Sequence, residues 1–144
     1  MPTIFNYGCI PQTWEDPEKG GDGDPIDLVD LGQFPKPIMA VSDYVVLGCI
    51  GLIDQGEIDW KVLGLEVNEA EALQINKLED YEKVNPGNVD KIVEWFRTYK
   101  TLEGKGLNEF REDGKIYDRL ETLRIIFECS KEYREMMAHR KLAE

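Results

Sequence analysis

Hydrophobic and polar positions change their period along this chain. In the first two thirds the apolar residues come as short runs broken by Gly, Pro and Asp; in the remainder they recur at helical spacing. The run from Asp43 to Ile53 holds Tyr44, Val45, Val46, Leu47, Cys49, Ile50, Leu52 and Ile53. Its β-branched content favours a strand. Asp54-Gln55-Gly56-Glu57 then reads as a turn and Ile58 to Val67 as the returning strand of a hairpin. A shorter strand is predicted over Ile26-Asp27-Leu28-Val29-Asp30-Leu31, stopped by Gly32 and the Pro35/Pro37 pair.

Helices follow. Leu78 to Val84 is a short one, with Asn76 and Glu79 spaced as a capping box and Pro86-Gly87 ending it. Asn88 is the expected cap of the next, whose apolar residues are Val89, Ile92, Val93, Phe96 and Tyr99. Asp118 with Glu121 opens a long helix with an expected inner stripe of Leu120, Leu123, Ile126, Phe127, Ser130, Tyr133 and Met137. Strands followed by helices point to an α+β domain, a curled antiparallel sheet with helices on one side.

The hairpin carries an irregularity in its pattern. On the returning strand the two-residue period places Asp59 and Lys61 on one face, roughly 7 Å apart, and Leu63, Leu65 and Val67 continue that face inward. An acid beside a base on a strand is ordinarily a surface pair of little energetic weight. Here the charges stand at the mouth of an apolar face, which marks a candidate site.

The chain has 144 residues and a net charge of −12, with 29 acids against 17 bases. That is one domain's length, and the charge disfavours unaided binding to nucleic acid or anionic membranes. An acidic protein acting on a phosphate compound needs metal ions to reverse the local sign. Cys9, Cys49 and Cys129 are odd in number, share no metal-ligand spacing and read as free thiols of a reducing compartment. Without a signal peptide or a membrane-length apolar run, the expected location is cytoplasmic. His139 reads as a surface residue of the last helix, and no Ser or Cys has a candidate imidazole partner.

The densest chemistry is Asp22-Gly23-Asp24-Pro25-Ile26-Asp27. Pro25 restricts Asp24 to extended backbone, so these acids are held stiffly. The bland reading is a solvated acidic turn; the sharper one is a set of hard oxygen ligands for an ion such as Mg2+. An EF-hand starting at Asp22 fails, because its sixth and twelfth positions are Asp27 and Gln33 instead of Gly and Glu. A haloacid-dehalogenase-type nucleophile fails as well, since the preceding Glu15 to Gly21 segment cannot be a buried strand.

Taken in order, Asn6-Tyr7-Gly8, Pro11-Gln12-Thr13-Trp14-Glu15-Asp16-Pro17, the acidic hexapeptide, Asp54 to Lys61 and Trp95-Phe96-Arg97-Thr98-Tyr99-Lys100 resemble the soluble family I inorganic pyrophosphatases of eukaryotic type. The resemblance implies an OB-like five-stranded barrel flanked by C-terminal helices, and hydrolysis of pyrophosphate to two phosphates with several Mg2+ ions, Mn2+ being a substitute. It implies Asp22, Asp27 and Asp59 as metal ligands, Asp54 as ligand of a further activating metal, and Asp24 as the acid/base. It implies Tyr7, Lys61, Tyr99 and Lys100 as phosphate contacts, and allows a homodimer. Family members also carry, ahead of Asn-Tyr-Gly, strands with a metal-binding glutamate and a phosphate-gripping lysine and arginine. This sequence lacks them and has Thr3 where a tyrosine is usual. The expectation is therefore a single domain, residues 1–144, missing N-terminal strands, with an inactive metal-binding fragment of that fold as the alternative.

Overall fold

The computed structural model describes residues 2–144. Its centre is a five-stranded curled sheet in the order β1-β2-β4-β3-β5, formed by β1 (Asn6–Cys9), β2 (Asp27–Asp30), β3 (Tyr44–Asp54), β4 (Glu57–Glu66) and β5 (Glu109–Phe110). The hairpin expected from the apolar run is its spine: Asp54 pairs with Glu57, Leu52 with Asp59 and Ile50 with Lys61. β2 lies parallel to β4, with Asp27 opposite Lys61 and Val29 opposite Leu63, so the sheet is mixed. The other pairings are antiparallel, and the sheet does not close among the described residues.

The two-residue period decides which core each strand residue joins. Val29, Ile50, Leu52, Leu63 and Leu65 face one cluster, which also takes Ala70 and Tyr81 of the helices α1 (Val67–Leu73) and α2 (Leu78–Val84) and Val89, Ile92 and Phe96 of α3 (Asn88–Thr98). Leu28, Cys49, Trp60 and Val62 face the other cluster, covered by Tyr117 and by Cys129 of α4 (Arg119–Ala143). Helices therefore cover both faces of the sheet, where one side was expected. No described helix is long and apolar enough to cross a membrane.

Several local expectations change. β4 ends at Glu66, and Val67 starts the helix α1 instead of ending the strand; Val67 is 39% exposed and does not extend the inward face. At α2 the acid that reaches back is Asp80, which accepts from the backbone N–H groups of Asn76 (3.0 Å) and Lys77 (3.3 Å), so Glu79 is not the box residue. Gly87, in the left-handed region, caps α3; the Asn88 side chain instead donates to the Tyr81 hydroxyl. Asp118 does cap α4, accepting from the Glu121 N–H at 2.9 Å. The buried face of that helix is Thr122, Cys129 and Glu132, whereas Leu120 and Phe127 are exposed. Polar ties to the N-terminal loop set this rotation: Trp14 N–H donates to the Cys129 carbonyl, and Lys19 pairs with Glu132 at 3.0 Å.

Candidate active site

The site lies where the inward face of β4 changes from apolar to charged. Leu63 and Leu65 are buried in the core, and the same face continues outward to Lys61 and Asp59. Parallel pairing brings Asp27 beside Lys61, and β1 brings Tyr7 beside Val29. The Lys61 ammonium, 4% exposed, donates to Tyr7 Oη at 2.6 Å, Asp27 Oδ2 at 2.7 Å and Asp59 Oδ2 at 2.8 Å. Burial works against that charge, but Asp59, Tyr7 and Asp27 outweigh it and hold the lysine protonated. A buried cation with three oxygen acceptors is a fixed charge, and breaking one such pair typically costs about 3–5 kcal/mol.

The acidic loop reaches the same place by backbone pairing. Gly21 forms a parallel bridge to Ile58, and Ile58 N–H donates to the Gly20 carbonyl at 2.8 Å. This sets Asp22 next to Asp59. A second layer holds the loop: Glu15 N–H donates to the Asp24 carbonyl, Gly23 N–H to the Glu15 carbonyl, and Trp14 Nε1 to the Gly23 carbonyl. Gly21 must be glycine for this, because a Cβ there would stand 2.5 Å from the Glu15 carbonyl carbon and oxygen.

The tightest acidic cluster is Glu15, Asp22 and Asp59, with one oxygen of each within 4.8 Å of the others. Asp27 joins it through Lys61, the ammonium bridging it to Asp59. Burial first, then the Asp22 and Asp59 charges, pushes the Glu15 carboxyl up to about 9. Burial likewise raises Asp59 to about 7, against the pull of Lys61. Asp22 is raised chiefly by burial. Glu15 Oε1 and Asp59 Oδ1 are buried with no hydrogen-bond partner. Orphaned buried oxygens among crowded carboxylates suit a hard cation, so the donor set fits a divalent metal.

Glu15 is a residue of this cluster that the sequence pattern does not single out, although it stands in the Pro11 to Pro17 segment. Its only local signal is an acid inside a Thr-Trp-Glu loop segment, and its burial depends on β4 and the acidic loop closing over it.

The remaining candidates are spread more widely. Asp24 is exposed, and its backbone N–H donates to Asp22 Oδ1 at 3.0 Å. Asp54, at the far end of β3, pairs with Lys100 at 2.6 Å and lies outside the tight cluster. Tyr99 stacks on Trp95, with ring centroids 4.9 Å apart and planes 4° from parallel. Beside the Asp54–Lys100 pair is an open cleft of about 550 Å³, lined by Asp54, Lys100, Lys105 and Asn108. Lys100 is thus an ion-paired residue of a cleft.

Comparison with known proteins gives the arrangement its context. The family model described as inorganic pyrophosphatase matches residues 1–134. The chain belongs to the inorganic pyrophosphatase family. An inorganic pyrophosphatase of Encephalitozoon cuniculi is 42% identical over 130 residues, covering 85% of this chain and 47% of that protein. The inorganic pyrophosphatase structure from Schistosoma japonicum superposes with a TM-score of 0.88 at 36% identity, covering 92% of this chain and 50% of that one. An N-terminally truncated vacuolar soluble pyrophosphatase of Trypanosoma cruzi, solved in complex with PPi, gives 0.89 at 34% identity, covering 94% of this chain and 54% of that one. The chain spans half or less of the length of the first curated pyrophosphatases it matches. The curled five-stranded sheet with C-terminal helices agrees with the fold of these inorganic pyrophosphatases.

Proposed function

We propose that this chain hydrolyses inorganic pyrophosphate to two phosphates with Mg2+ at the charged lip of the sheet. The observation that carries the reading is the junction of β2, β4 and the acidic loop. There Asp22, Asp27 and Asp59 meet a buried lysine and the buried Glu15, and Glu15 Oε1 and Asp59 Oδ1 have no hydrogen-bond partner. Metal-dependent phosphoryl transfer is mainly positioning and charge neutralisation, and an acidic protein can hold a polyanion only where cations collect.

In this reading Asp22, Asp27 and Asp59 would hold metal, and Asp54 would hold a further ion at the cleft. Divalent ions bound there supply positive charge to the phosphates and acidify a water. Asp24, exposed beside Asp22 and stiffened by Pro25, accepts the proton of the attacking water. Lys61 and Lys100 offset charge on the leaving phosphate, while the Tyr7 and Tyr99 hydroxyls donate to its oxygens. Asp27 and Asp59 share Lys61, so to serve as ligands they would have to divide their oxygens between a metal and that ammonium. The reading takes residues 1–144 as one domain.

The test is phosphate release from pyrophosphate by the purified chain, with Mg2+ and then with a chelator. The expected result is hydrolysis that needs Mg2+ and falls to background in Asp27→Asn. A folded chain that binds Mg2+ and releases no phosphate would make it a metal-binding fragment of the fold instead.

A further inference from the structure

We propose that Glu15 is itself a metal ligand: with Asp22 and Asp59 it forms the inner wall of a divalent-cation site. Only the role of that cation in turnover rests on the pyrophosphatase reading; the ligation stands on the geometry of the chain.

Glu15 is 2% exposed, yet it takes part in no ion pair among the described residues. Its Oε2 receives one long hydrogen bond, 3.4 Å from the Trp60 N–H, and its Oε1 receives none. The nearby cations are committed elsewhere. Lys61 serves Tyr7, Asp27 and Asp59 Oδ2, and Lys19 serves Glu128 and Glu132. Asp59 thus accepts from Lys61 at Oδ2 and keeps Oδ1 unpartnered, while Asp22 accepts from the Asp24 N–H at Oδ1. Each of the three carboxylates has an oxygen to spare.

The spacing suits a cation. Oxygens on opposite sides of an ion lie apart by twice the metal–oxygen distance, about 4.2 Å for Mg2+ and about 5 Å for Ca2+. One oxygen each of Glu15, Asp22 and Asp59 lies within 4.8 Å of the others. Nor can Glu15 withdraw to solvent. Two backbone hydrogen bonds tie it to Asp24 and Gly23, and Gly21 packs on its backbone. A buried carboxylate held this firmly beside two others requires a counter-charge or a proton. The cation and the proton make opposite predictions.

The experiment is Mn2+ binding to the intact 144-residue chain, without substrate, by electron paramagnetic resonance titration, comparing Glu15→Gln with the parent. The amide keeps the shape and the Trp60 contact but loses the anionic oxygen. A metal ligand predicts at least a tenfold rise in Kd. A Glu15 that only shares a proton with its neighbours predicts a Kd within twofold of the parent, which would overturn the proposal. Parent crystals soaked in Mn2+ give a second readout that needs no variant. The anomalous peak is expected at ligation distance from a Glu15 oxygen, and a peak with Glu15 outside that distance would overturn the proposal. A chain that binds Mn2+ through Glu15 without hydrolysing pyrophosphate contradicts the proposed function alone. Hydrolysis with unchanged Mn2+ affinity in Glu15→Gln contradicts this inference alone.

Discussion

Lys61 and Asp24 show how differently two charged residues of one site are held. Lys61 is buried and donates to three oxygens, so its place is fixed before any substrate arrives. Asp24 is exposed and touches the cluster only through its backbone, so its carboxylate is free to meet a water. Replacing Asp24 by Asn should leave stability unchanged, since the backbone bond to Asp22 does not use the side chain. Turnover should fall by about 10²–10⁴-fold, the usual loss for a general base. A steady-state assay on Asp24→Asn checks this, and a rate within about threefold of the parent would contradict the assignment. The stiff setting of Asp24 was legible in the sequence, from Pro25 and two flanking aspartates, whereas its acid/base role comes from the family resemblance and is what this variant tests. Glu15 was not legible, because nothing next to it in the chain buries it.

At the scale of elements, the hairpin and the acidic loop make the site, and Gly21 joins them. The hairpin was legible because β-branched residues and a Gly-containing turn dominate its pattern, and packing follows that pattern. The start of α1 at Val67 was hidden, since Val67 equally continues the strand's alternation. The rotation of α4 was hidden too. Leu120 and Phe127 form a plausible inner stripe, but ties to Trp14 and Lys19 turn Thr122, Cys129 and Glu132 inward. Such long-range polar contacts leave no local period. Gly21→Ala tests the joint, because the added Cβ meets Glu15 backbone at 2.5 Å and not a yielding side chain. The variant should lose about 1–3 kcal/mol of stability in a urea melt, and stabilisation by Mg2+ should shrink with it. A loss below about 0.5 kcal/mol, the ordinary range for surface changes, would show that the loop is not held as described.

For the whole molecule, two apolar clusters fix the sheet from both faces, and Glu15, Asp59 and Lys61 are buried together at one lip of it. With a net charge of −12 on the chain and crowded carboxylates at that lip, a phosphate anion would need a bound counter-cation to approach it. The α+β class and the acidic hexapeptide were legible from the chain; the parallel β2–β4 pairing that brings Asp27 to Lys61 was not, because pairing direction is a tertiary choice. In the proposed function this lip directs a water onto pyrophosphate. The most direct test is ³¹P magnetic resonance of pyrophosphate incubated with the chain and Mg2+ in ¹⁸O-enriched water. At early conversion each pyrophosphate consumed should yield two phosphates, one of them carrying a single ¹⁸O, and a chelator should stop the reaction. Pyrophosphate left intact by folded, Mg2+-bound chain, or consumed without ¹⁸O entering phosphate, would contradict the proposed function.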